Sequence, residues 1–186
     1  MSDNGNSGER SKRAEVMRQS QAIMALIEAA GRDLDCNGPT PGIQLKHRLE
    51  ARWEIARETL PEEVRCALQG DFLPGSADQI PGNFSEAAVS DLTKILDQVA
   101  LEFSKQGGST YGLAVARCVL VRLIGKAKEL EEGKPLHHLS RIPVLFVNED
   151  PWVICLNPYT KQIYRIFHGA REFSAIFGGR LGLSGN

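Results

Sequence analysis

The side chains best suited to chemistry fall in one string near the end of the chain, Ile163-Tyr164-Arg165-Ile166-Phe167-His168-Gly169-Ala170-Arg171-Glu172. His168 has a guanidinium three residues away on either side, Arg165 and Arg171. An imidazole can deliver a proton near neutral pH. Forked guanidinium donors can hold a phosphate. A carboxylate base completes the set that attack of a hydroxyl on a phosphate requires, and Glu149 and Glu172 are the candidates. The same residues also read without chemistry. Arg171 and Glu172 then form a surface or capping pair, and His168 bonds the backbone at a turn.

The string needs a strand to position it. Ile163, Arg165 and Phe167 share one face of that strand, and Tyr164, Ile166 and His168 the other. Gly169 supplies the permissive backbone for leaving it. Two further strands precede it, Val144–Val147 and Trp152–Leu156, with the third running from Lys161 to Phe167. Asn148-Glu149-Asp150-Pro151 and Asn157-Pro158-Tyr159-Thr160 are the turns, so the three form an antiparallel meander. A short helix over 170–177 is expected to follow.

Two helices lead into the sheet. Ser85 has the chemistry of an N-cap for a helix to about Lys105, with Ala88, Val89, Leu92, Ile95, Leu96, Val99 and Phe103 as its apolar stripe. Gly107-Gly108 breaks it. A second helix runs over 109–132 until Gly133 and Pro135 end it. Such a pair is an αα-hairpin, expected to lie on one sheet face in a two-layer α+β domain.

The first half of the chain reads as helical. Residues 1–12 have the composition of a disordered segment. A helix is expected over 12–30, with Gly31 as its stop. A second carries Leu45, Leu49, Trp53, Ala56 and Leu60 on one face, and Pro61 opens a short third with Glu62 and Glu63 at its positive end. The glycines, prolines and aspartates of residues 70–83 mark the best candidate boundary.

Charge and cysteine usage narrow the class. Residues 1–83 carry 10 Lys+Arg against 13 Asp+Glu, and residues 84–186 carry 12 against 10, so neither half has the strongly basic footprint of a nucleic-acid binder. Cys36, Cys66, Cys118 and Cys155 form no Cys-x-x-Cys pair and read as reduced, mostly buried thiols. His137-His138 is a poor chelate, because adjacent side chains point apart and no Cys/His/Asp cluster completes a metal set. No apolar run approaches the roughly 18 residues that span a bilayer, and no signal-peptide pattern opens the chain. A cytoplasmic protein is the expectation.

Three local strings share a family resemblance. Phe84-Ser85-Glu86-Ala87-Ala88, continuing through Asp91-Leu92 to Ile95-Leu96, resembles the opening of the first helix in RelE/ParE toxins of type II toxin–antitoxin (plasmid stabilisation) systems. Arg141-Ile142-Pro143-Val144 resembles the lead of that family into its sheet. Arg165 to Glu172 resembles its last strand and exit. The resemblance covers residues 80–178 and is nearer in wording to the ParE branch. It implies a helical hairpin on a small antiparallel sheet over 80–186, preceded by a helical extension over 1–79. The family usually has a further strand just before the hairpin, but residues 79–83 are poor strand material.

For function, the resemblance implies a ParE-like toxin that binds a cellular target such as DNA gyrase. The alternatives are a RelE-like ribosome-dependent endoribonuclease acting on mRNA and a non-toxic interaction module. Arg141, Lys161, Arg165 and Arg171 are the target-binding candidates. His168, Arg165 and Arg171 are catalytic only in the RelE-like case. A cognate antitoxin protein is the implied partner, with no cofactor, no metal and no membrane. The extension reads either as a helix that masks the toxin in cis or as an extra layer of core.

Overall fold

A computed structural model describes residues 5–68, 72–73, 80–130 and 141–169. Helices α1 (Gly5–Asn37), α2 (Gly42–Glu58), α3 (Glu62–Ala67) and α4 (Glu86–Lys128) precede strands β1 (Leu145–Glu149), β2 (Trp152–Leu156) and β3 (Ile163–His168). The class is α+β, with one antiparallel sheet in the order β1-β2-β3.

Helix α4 is the expected hairpin. Ser85 caps it, its Oγ accepting from the Ala88 N–H at 3.0 Å. Gly108, at φ 83° and ψ 170°, breaks the helical path and divides it into two arms. The arms cross closely at Gly112, where a Cβ would meet the Ala100 carbonyl and stand 2.8 Å from the Ser104 nitrogen. By length and composition α4 is apolar enough to cross a membrane, contrary to the expectation from apolar runs alone. Much of its apolar stripe is spent on the core, including Leu92, Leu96, Ala116, Leu120 and Leu123.

Two cores flank the sheet. On one face Trp152, Ile154, Leu156, Ile163 and Ile166 meet both arms of α4, and Leu45, Leu49 and Trp53 of α2 join the same core. Phe72, Leu73 and Ile80, from the boundary region, are buried there too, with Phe72 5.0 Å from the Trp53 ring. Arg52 fastens α2 to α4 by two bonds to Asp97, each 2.9 Å.

On the other face Val153, Cys155, Tyr164 and Phe167 lie under Ile23, Met24, Ile27, Ala30 and Leu34 of α1. The expected two layers are therefore three. All five residues of β2 are buried, because Trp-Val-Ile-Cys-Leu is apolar at both parities and needs a cover on each side.

Several local expectations are corrected. Helix α1 spans Gly5–Asn37 and passes through Gly31. The missing Cβ there is what the packing uses, since one would stand 2.5 Å from Ile142 Cδ1 and 3.5 Å from Tyr164 Cε1. Strand β1 extends to Glu149, beyond the expected end at Val147. Strand β3 starts at Ile163, because Lys161 adopts φ 60° in the turn. The Asn157 side chain holds that turn, accepting from the Tyr159 and Thr160 N–H groups at 2.9 and 3.2 Å.

Cys36, Cys66 and Cys118 are exposed, and only Cys155 is buried. Cys118 lies in an apolar run, but on the outward stripe of the second arm with Tyr111, Ala114, Val115 and Val119. Residues 5–12, expected to be disordered with the rest of 1–12, belong to α1, and the second arm of α4 ends at Lys128, short of the expected 132. The expected helix over 170–177, residues 1–4, His137-His138, Gly133 and Pro135 lie outside the described residues.

Candidate functional site

Strand β3 lies at the edge of the sheet, and its outward backbone groups need partners. The segment leading into α4 supplies them. The Ile163 N–H donates to the Asn83 carbonyl at 2.7 Å, and the Ser85 N–H donates to the Ile163 carbonyl at 2.9 Å. Ser85 Oγ donates to the Tyr164 carbonyl at 2.7 Å. Among the described residues, single bridges from Phe84 to Ile163 and to Thr40 stand in place of a further strand. Two turns into the helix, Asp91 Oδ2 accepts the Ile166 N–H at 3.0 Å.

A bulge sets which side chains face which core. Leu156 pairs with Ile163 and Cys155 with Arg165, so Tyr164 is the extra residue. Ile163 therefore turns to the hairpin and Tyr164 to α1, the reverse of a strict alternation. Arg165 and Phe167 share the α1 side, with the guanidinium carbon 5.0 Å from the Phe167 ring centre. Beneath α1, burial pushes the Tyr164 phenol above its ordinary 10.0, opposed by a hydrogen bond to the Asn157 side chain and aided by the Asp35 charge.

Arg165 is held by Asp91. Its Nε donates to Oδ2 at 2.7 Å and its Nη2 to Oδ1 at 2.9 Å, with the side chains 15% and 7% exposed. His168 lies directly across from Trp152 in the ladder, with the rings edge to face at 5.0 Å. Between this end of β3 and α4 lies a cavity of about 300 Å³. Asp91, Lys94 and Gln98 reach it from one face of α4, Leu26 from α1, and Trp152, Arg165 and His168 from the sheet.

The sequence-expected residues are thus partly brought together. Arg165 and His168 line one cavity. Lys161 sits at the opposite end of β3, with its carbonyl accepting from Asn83 Nδ2 at 2.9 Å. Arg141 is exposed on the approach to β1, and its N–H donates to Glu28 Oε1 at 2.9 Å. Arg171 and Glu172 lie outside the described residues. Glu149 aligns with Trp152, and Trp152 with His168. Two strand spacings, about 10 Å, therefore separate Glu149 from His168. Glu149 instead pairs with Arg122 at 3.0 Å.

Asp91, Lys94, Gln98 and Trp152 were not expected at the site. Asp91 had a signal, as the one acid on the core-facing stripe between Ala88 and Leu92. No protein-family model matches the chain, and no curated protein or solved structure matches it either.

Proposed function

We propose that the chain is a ParE-like toxin of a type II toxin–antitoxin system, with a RelE/ParE-type fold over residues 80–186, that inhibits growth by binding a cellular target such as DNA gyrase. The observation that carries the reading is the joining of a helical hairpin to a three-stranded meander whose last strand carries the Arg165-Ile166-Phe167-His168-Gly169 string. Among the described residues, the state of the carboxylates favours binding over cleavage of mRNA. Asp91 is spent on Arg165 and on the Ile166 N–H, and Glu149 on Arg122. A proton relay needs a base within hydrogen-bond reach of the group it serves. Of the described target-binding candidates, Arg141 is exposed, whereas Lys161 and Arg165 are half-buried. A small antitoxin protein is the expected neutralising partner.

Induced expression of the full chain in a bacterial host tests this, beside Arg141→Ala and His168→Ala, with growth, DNA synthesis and protein synthesis followed together. Arrest with DNA synthesis lost first, relieved by Arg141→Ala, supports the proposal. Protein synthesis lost first, with rescue by His168→Ala, replaces it with the ribonuclease reading. Normal growth with soluble protein leaves a non-toxic interaction module.

A further inference from the structure

The second arm of α4 turns an apolar groove outward. Its volume is about 400 Å³, and its described lining, Tyr111, Ala114, Val115, Cys118, Val119 and Arg122, comes wholly from that arm. Val115 and Val119 are half-buried against the core and form the floor, whereas Tyr111, Cys118 and Arg122 are exposed. Only 33% of the most apolar stretch of α4 is buried, so the core does not account for the character of this face. Arg122, the one charged residue of the described lining, is already engaged. It pairs with Glu149 at 3.0 Å and donates to the Asp150 carbonyl at 2.5 Å.

The relief of the face matches itself. Tyr111, Cys118 and Gly125 stand seven residues apart and so lie almost in line along the helix. At one end Tyr111 projects, 47% exposed, with its ring packed on Gly107 and 6.0 Å from that of Phe103. At the other end Gly125 leaves a gap, since among the described residues a Cβ there would meet nothing within 4 Å. Projection and gap are equally far along the helix from Cys118. In an antiparallel pair with its two-fold axis at Cys118, each Tyr111 meets Gly125 of the other copy. A two-fold interface requires this kind of self-complementary patch. Charge selects the same direction. Antiparallel pairing sets Arg122 and Lys126 against Ala114 and Thr110 of the other copy, whereas parallel pairing would set each cation against its own kind.

We propose that this face of α4 binds a second copy of the chain, helix against antiparallel helix, with Tyr111 of each copy seated at Gly125 of the other. At about 1.5 Å per residue the seam is about 20 Å long, which is small for a protein interface. The association is therefore weak, with monomers at about 1 μM and dimers at about 1 mM. The proposal does not depend on the toxin reading.

Sedimentation of the full chain between about 1 μM and about 1 mM is expected to pass from monomer to dimer. Tyr111→Ala removes the projection and Gly125→Leu fills the gap, and each should raise the dissociation constant at least about tenfold. Gly125→Leu should leave the dilute monomer folded, because the added side chain enters open space. Cross-linking reads the direction. In a chain carrying Cys36→Ser, Cys66→Ser and Cys118→Ser, a mixture of Tyr111→Cys and Gly125→Cys proteins should form disulfide-linked dimers under copper-catalysed air oxidation, while neither alone does. A chain that stays monomeric at about 1 mM overturns the proposal. So does a dimer indifferent to both Tyr111→Ala and Gly125→Leu, or one in which the Tyr111→Cys protein cross-links to itself.

Discussion

Asp91 of α4 and Arg165 of β3 are joined by two parallel hydrogen bonds, 2.7 and 2.9 Å, across 74 positions of sequence. The same carboxylate takes the N–H of the next residue, Ile166, at 3.0 Å. One side chain therefore pairs a buried charge and closes part of a sheet edge. Asp91→Ala is expected to destabilise the protein by about 3–5 kcal/mol, because it breaks a largely buried ion pair from one side. Asp91→Leu with Arg165→Met removes both charges and should recover much of that loss. Urea unfolding of the three proteins checks it. A loss within about 0.5 kcal/mol for Asp91→Ala would put the pair among ordinary surface contacts.

Two glycines of α4 should respond in opposite directions. A Cβ at Gly112 would press on the backbone of the first arm at Ala100 and Ser104, while one at Gly125 would meet nothing within 4 Å. Gly112→Ala is expected to cost about 1–3 kcal/mol through overpacking at the crossing. Gly125→Ala should stabilise by about 0.5–1 kcal/mol, since alanine restricts the unfolded chain more and suits a helix. Thermal unfolding of the pair decides whether the arms cross as described.

Tyr164 ties stability to alkaline pH. Its phenol loses its proton at higher pH in the folded protein than the ordinary 10.0 of the unfolded chain, chiefly through burial. The unfolded state therefore releases this proton first. The contribution is complete below pH 10.0 and is lost as pH rises through the folded value. Tyr164→Phe should flatten this part of the stability profile above pH 10.0 while leaving it unchanged at neutral pH. Unfolding midpoints taken across that range test the sign. A steeper fall in the variant would contradict it.

The thiols offer a direct check on layering. Cys36, Cys66 and Cys118 are exposed, and Cys155 is buried between the sheet and α1. A thiol reagent should label three sites rapidly in the native protein and the fourth only on unfolding. Ile27→Ala is expected to speed labelling of Cys155, because it thins the α1 cover over that residue. Rapid labelling of all four in the native protein would mean that α1 does not cover the sheet.

Much of the frame was legible from local chemistry. Ser85 announces a helix start, Gly108 a break, and the five residues of β2 fall within the expected bounds. Other features were hidden because local rules point the wrong way. Gly31 resembles a stop signal, yet the helix continues, since the packing against Ile142 and Tyr164 repays what glycine costs a helix. Cys118 sits among apolar residues and looks buried, but apolar content alone does not tell an inward stripe from an outward one.

By itself, the amino-acid order determined the succession of elements, the hairpin and the meander, because caps, breaks and turns act over a few residues. Tertiary structure decided which face of β3 each residue takes, since the bulge at Tyr164 comes from pairing with β2 and leaves no mark in the alternation of β3. It also decided that α1 covers the second sheet face and that Asp91 reaches Arg165. Those outcomes depend on how layers meet in space, where residues far apart in the chain become neighbours and local periodicity carries no record of the partner.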